Sequence, residues 1–175
     1  KPDMVFNLAT KPLEYSFFNP LGAYQISVSL ASGLAELLRA GAFGRLVQFS
    51  TSEVYGTARQ VPMTEDHPLL GETSYATGKA AADLLLQSYV SMFNLDIVTV
   101  RPFNNFGPRQ NDGLYSALVP LTIKRLMEGK PPIINGDGTQ TRDFIYVEDT
   151  ISATIKIAHL ENSIGDVFNL GSGNE

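Results

Sequence analysis

The chain has 175 residues, a formal net charge of −5, and 43% hydrophobic against 18% charged residues, which is the composition of a folded globular chain rather than a disordered one. That length holds one good-sized core, or one domain with part of another. The acidic balance repels a polyphosphate backbone, so no nucleic-acid partner is expected, and the lack of cysteine excludes disulfides, thiolate metal sites and a cysteine nucleophile.

The chain opens at Lys1-Pro2-Asp3 without an initiator Met and runs straight into an apolar segment, the pattern of a start inside a fold. No signal peptide opens it, and the cytoplasm is the expected location. The longest apolar stretch, Gly22 to Leu38, carries Gln25, Ser27, Ser29, Ser32 and Glu36, so no membrane association is expected from it.

Met4 to Leu8 reads as a short buried strand. Asn19-Pro20 reads as a helix start, since proline suits the first turn, and the helix runs to about Ala40 before Gly41. Arg45 to Ser50 is a second strand, followed by a polar loop from Thr51 to Thr73. Ser74 opens a second helix, to about Phe93, whose apolar stripe of Ala82, Leu86, Tyr89, Val90 and Phe93 has helical spacing. Asp96 to Val100 is a third strand. This strand–helix alternation implies parallel βαβ units covered on both faces. Beyond it come a loop from Asn104 to Gly113, a helix from about Leu114 to Glu128, a short strand at Ile133-Ile134, a turn at Gly136 to Gly138, a strand from Phe144 to Val147, a helix from Asp149 and a strand from Val167 to Leu170.

Ligands in open α/β sheets bind at the carboxyl ends of the strands, and three groups of residues fall there. Ser50, Thr51, Ser52 and Glu53 put hydroxyls and a carboxylate directly after the second strand. Tyr75 and Lys79, four apart, share one helical face, where a partly buried lysine would stabilise a phenolate and lower the tyrosine pKa. Arg101, Asn104, Asn105, Arg109 and Arg142 form an anion-ready set. Each has an ordinary reading as well: turn chemistry for the hydroxyls, a solvated carboxylate for Glu53, a surface ion pair with Asp143 for Arg142. His67 and His159 read as surface residues. Gly171-Ser172-Gly173 lacks the third glycine and following helix of a nucleotide loop.

In order and spacing together, these segments resemble the extended short-chain dehydrogenase/reductase family, the NAD-dependent nucleotide-sugar epimerases and dehydratases. The matching segments are Asn7 to Thr10, Ser50 to Gly56, Tyr75 with Lys79, Arg101 to Arg109, Gly136 to Gly138, Arg142 to Asp149 and Asn169 to Gly173. The resemblance implies an α/β fold with a Rossmann-type doubly wound parallel sheet, incomplete because the first βαβ unit is missing, and part of a small C-terminal substrate-binding domain. Residues 1–103 would form the partial dinucleotide-binding domain, and residues 104–175 a mixed region of substrate-binding part and returning Rossmann elements.

By the same resemblance Tyr75 is the base that takes the sugar O4 proton, Lys79 holds the nicotinamide ribose and Thr51 completes the trio. Ser52 and Glu53 belong to the catalytic loop. Leu8, Ala9, Thr10, Ser50 and Pro102 neighbour NAD, Thr51 and Arg109 contact substrate, and Asn104 and Arg142 grip the diphosphate of the nucleotide sugar; no metal is implied. A homodimer through the helices from Leu21 and Ser74 is implied too. The family's glycine-rich loop, which normally precedes these segments, is absent, so the chain is expected to be the middle part of a longer enzyme and inactive alone. Asn7 stands where the family often has His, and Asn135 where many members have an aromatic residue. A carboxylate in the loop after the second strand is typical of dehydratases, so Glu53 favours a nucleotide-hexose 4,6-dehydratase. A 4-epimerase is the alternative, with a uronate decarboxylase or a non-catalytic binding relative behind it.

Overall fold

A computed structural model describes residues 1–111, 117–134 and 136–174. The strands β1 (Met4–Asn7), β2 (Arg45–Phe49), β3 (Ile97–Pro102) and β6 (Val167–Leu170) form one parallel sheet in the order β1-β2-β3-β6. The short strands β4 (Asn104–Phe106) and β5 (Phe144–Tyr146) pair in parallel beside it.

Crossovers fix the layers. After the single turn α1 (Tyr15–Phe18), helix α2 (Pro20–Arg39) connects β1 to β2, and α3 (Ser74–Phe93) connects β2 to β3. The sheet advances the same way at both steps, so two right-handed crossovers put both helices on one face, packed together. Ala31, Ala35, Leu38, Leu46, Ala82, Leu86 and Ile97 form the core there. Helix α5 (Val147–Ala158) covers the opposite face, packing Ile157 and Ala158 over Val47, Val98, Val100, Ile145 and Leu170. The period-2 alternation of a strand explains the division: Leu46 and Val47, adjacent and both fully buried, belong to opposite cores. The sheet is doubly wound, as expected.

Both long helices are bounded by local chemistry. The Asn19 side chain accepts from Gly22 N at 2.8 Å and the Thr73 hydroxyl from Ala76 N at 3.1 Å, each satisfying an otherwise unpaired first-turn donor. Asn94, left-handed at φ 50°, ends α3. Gly78 is the point of closest approach: a Cβ there would lie 2.8 Å from the Tyr24 Cα. Among the described residues α2 is the helix long and apolar enough to cross a bilayer by length and composition; here its Ala31 and Ala35 are sealed in the core.

Several expectations are corrected. Ile133-Ile134 forms no strand; both residues line a cavity instead. Asn104–Phe106, expected as loop, pairs with β5, and the turn Ser52–Tyr55 is a 3-10 helix. The described part of the next helix, α4, runs Leu118–Met127, and Asp112 to Ser116 lie outside the described residues. His67 is 3% exposed rather than on the surface. Its Nε2 accepts from Arg59 N at 3.0 Å, so Nδ1 carries the proton and donates to the Pro68 carbonyl at 3.0 Å.

Candidate active site

The carboxyl ends of the parallel strands lie along one edge of the sheet, and the residues that follow them converge there. Leu8, Ala9 and Thr10 are exposed just beyond β1. Beyond β2, Thr51 caps the 3-10 turn, its hydroxyl accepting from Glu53 N at 3.3 Å. The turn buries Val54 and Tyr55 completely and leaves Glu53 exposed. Gly56 closes it at φ 66°, with the Leu70 carbonyl where a Cβ would sit.

Tyr75, in the first turn of α3, is half-buried, and burial raises its pKa. The Thr51 side chain works in the opposite direction, while the carboxylates of Glu53 and Glu14 add to the rise. Thr51, Glu53 and Tyr75 are therefore brought together. Lys79 is buried at 3% exposure, and its Nζ donates to the Phe49 carbonyl at 2.7 Å. Burial lowers its pKa to about 8, against the pull of Asp83. The expectation that Lys79 lowers the Tyr75 pKa is corrected: its ammonium is turned to the β2 carbonyl, and the phenol stays protonated at neutral pH.

Arg101, expected as an anion binder, is instead buried against Asp83, with its Nε 3.0 Å from Oδ2 and side-chain exposures of 5% and 4%. Ser50 donates to the same carboxylate oxygen at 2.8 Å. Burial opposes the Arg101 charge, yet Asp83 and the Tyr55 hydroxyl hold its pKa above the ordinary arginine value.

Two cavities share part of their lining, and one of them reaches the Glu53 turn. One, about 470 Å³, is lined by Ser52, Glu53, Glu72, Phe103 and the segment from Thr139 to Arg142. The other, about 570 Å³, is more apolar, with Leu118, Val119, Ile133 and Ile134 in its wall. Asn104, Gln140 and Arg142 line both. Arg109 is not brought to either; it borders a separate cavity of about 190 Å³ beside Val147. Asn135 lies outside the described residues. Asp143 does not pair with Arg142; it accepts from Ser172 N at 2.8 Å and Gly173 N at 3.0 Å, fixing the loop after β6. Sequence reasoning missed that role and those of Asp83 and Glu72. The last was detectable only as a carboxylate in the turn-rich loop; it accepts from Thr57 N at 3.0 Å and Thr57 Oγ1 at 2.6 Å.

A doubly wound parallel sheet with Thr51, Tyr75 and Lys79 at the carboxyl ends of its strands has the architecture of a Rossmann-type dinucleotide-binding domain. Residues 1–171 match the NAD dependent epimerase/dehydratase family, and the chain belongs to it. It is 42% identical over 131 residues to the low-salt glycan biosynthesis protein Agl12 of Haloferax volcanii, covering 75% of this chain and 41% of that protein. The solved UDP-N-acetylglucosamine 4-epimerase of Methanobrevibacter ruminantium superimposes with TM-score 0.91 at 33% identity, over 98% of this chain and 56% of that one. The dTDP-glucose 4,6-dehydratase of Bacillus anthracis, solved with NAD, superimposes with TM-score 0.85 at 32% identity, over 98% and 52%. The chain spans about half the length of these relatives.

The residues present fit the nicotinamide half of NAD. Leu8, Ala9 and Thr10 offer an exposed ledge at the tip of β1, and Tyr75 and Lys79 bring a phenol and an amine to the same edge.

Proposed function

We propose that this chain is the catalytic portion of an NAD-dependent nucleotide-hexose 4,6-dehydratase. The observation that carries the reading is Glu53: an exposed carboxylate on the cavity wall, close enough to Tyr75 to act on its pKa. NAD, when bound, supplies a hydride acceptor for sugar C4 and a positive charge at the sheet edge. Tyr75 would take the O4 proton as its phenolate, a form that the positive charge brought by bound NAD would favour against the burial that raises its pKa, with the Thr51 hydroxyl beside it. Glu53 would take the proton at C5, acidified by the new C4 ketone, and pass it to the C6 hydroxyl, oriented by Ser52 and Thr51, so that the hydroxyl leaves as water; the hydride taken from C4 would then return to C6 and a proton to C5. Lys79 holds the nicotinamide ribose, for which its Nζ exchanges or shares the Phe49 carbonyl.

The shared lining of the two cavities supports a diphosphate held at Asn104 and Arg142, the sugar lying in the polar cavity and the nucleobase in the apolar one. A planar arginine fork suits that role. Exposed Leu21, Leu37, Leu84 and Met92 on α2 and α3 support packing against a second copy. A 4-epimerase is the second reading, favoured by the closer superposition on the epimerase structure. The Glu53→Gln variant of the complete holoenzyme separates them. Under the dehydratase reading it still passes hydride to NAD, and NADH accumulates while water loss stops. Unimpaired dehydration by that variant contradicts the role of Glu53.

A further inference from the structure

The turn that carries Thr51 and Glu53 is anchored from below by one side chain. Tyr55, fully buried, accepts at its hydroxyl from Arg101 Nη1 at 2.9 Å and donates to Asn169 Oδ1 on β6 at 2.7 Å. The Arg101 guanidinium lies 5.0 Å from the Tyr55 ring centroid. Its Nε faces Asp83 on α3, one turn beyond Lys79, and Asp83 also receives the Ser50 hydroxyl. Asn169 is fixed in turn, its Nδ2 donating to the Met63 carbonyl at 2.9 Å. A continuous buried chain of polar contacts thus joins the Glu53 turn to the helix of Tyr75 and Lys79, through groups that do not line the cavity.

We propose that Tyr55 and Arg101 are positioning residues that set where Glu53 stands relative to Tyr75, and so control the C5 proton step and water loss separately from hydride transfer at C4. Hydride transfer depends on Tyr75 and Lys79, held by α3 itself, whereas Glu53 sits on four residues of 3-10 helix, anchored by the Tyr55 hydroxyl and by the Val54 carbonyl, which accepts from Leu70 N at 2.9 Å. The inference rests on the dehydratase reading.

The test compares wild-type, Tyr55→Phe and Asn169→Ser holoenzymes with NAD and a nucleotide-hexose substrate, following NADH by absorbance and water loss by mass. Tyr55→Phe removes a single oxygen; Asn169→Ser frees that oxygen's second partner and leaves the Arg101–Asp83 pair intact, so it serves if the first variant folds poorly. Displacing the carboxylate lowers water loss about 10- to 100-fold while NADH still forms and accumulates. Amide exchange rises in residues 52–56 and stays unchanged in α3. Equal loss of both steps, or no change in either, overturns the inference. A wild-type enzyme that releases no water overturns the dehydratase reading itself, and this inference with it.

Discussion

The Lys79 ammonium donates a 2.7 Å hydrogen bond to the carbonyl oxygen of Phe49, the last residue of β2, from a position 3% exposed to solvent. The charge is held in the core by that carbonyl and by the field of Asp83, and its folded-state pKa falls to about 8 from an ordinary value of 10.5.

That depression has a definite sign. Between about pH 8 and 10.5 the unfolded chain binds the Lys79 proton and the folded chain does not, so stability rises with pH across that window. Below about pH 8 both states are protonated and burial of the charge costs its full amount, about 3 kcal/mol. Chemical denaturation of wild type and Lys79→Met across pH 7 to 10.5 measures it: the wild type gains on the variant as pH rises. Parallel curves contradict the burial.

Tyr75→Phe removes the hydroxyl proposed above to take the O4 proton and keeps the ring. Turnover falls about 100- to 10,000-fold with substrate affinity little changed, as steady-state kinetics and calorimetry report.

Gly78→Ala places a Cβ 2.8 Å from the Tyr24 Cα, against backbone that cannot rotate away. Helices α2 and α3 separate, and unfolding free energy falls by about 1–3 kcal/mol in denaturant titrations. Gly33, with nothing within 4 Å of its Cβ position, is the control: Gly33→Ala leaves stability the same or raises it.

Asp83→Ala leaves the Arg101 guanidinium buried without its counter-charge. The cost is about 3–5 kcal/mol of stability, read as a lower denaturation midpoint. Arg101→Met with Asp83→Leu, which removes both charges, recovers most of it.

The helices were legible because their ends are written locally. Asn19-Pro20 starts α2 and Asn94 stops α3, each acting on neighbours three or four residues away. The parallel sheet followed from apolar runs between them. The functions of Arg101 and His67 were not legible, since both are decided by partners far along the chain: Arg101 by Asp83 and Tyr55, His67 by the Arg59 backbone and the Tyr55 ring. Ile133-Ile134 has the composition of a strand, and in the fold it makes a cavity wall, because local composition does not say whether a segment pairs. At the site, Thr51, Glu53 and Tyr75 were identified and are brought together, while Arg109 was identified and is not.

Mass spectrometry of a panel of nucleotide-hexoses incubated with NAD and the complete holoenzyme tests the central claim most directly. The account predicts a product lighter than its substrate by one water. A product of unchanged mass and altered chromatographic position would contradict it, and would make Glu53 an ordinary loop carboxylate in a 4-epimerase.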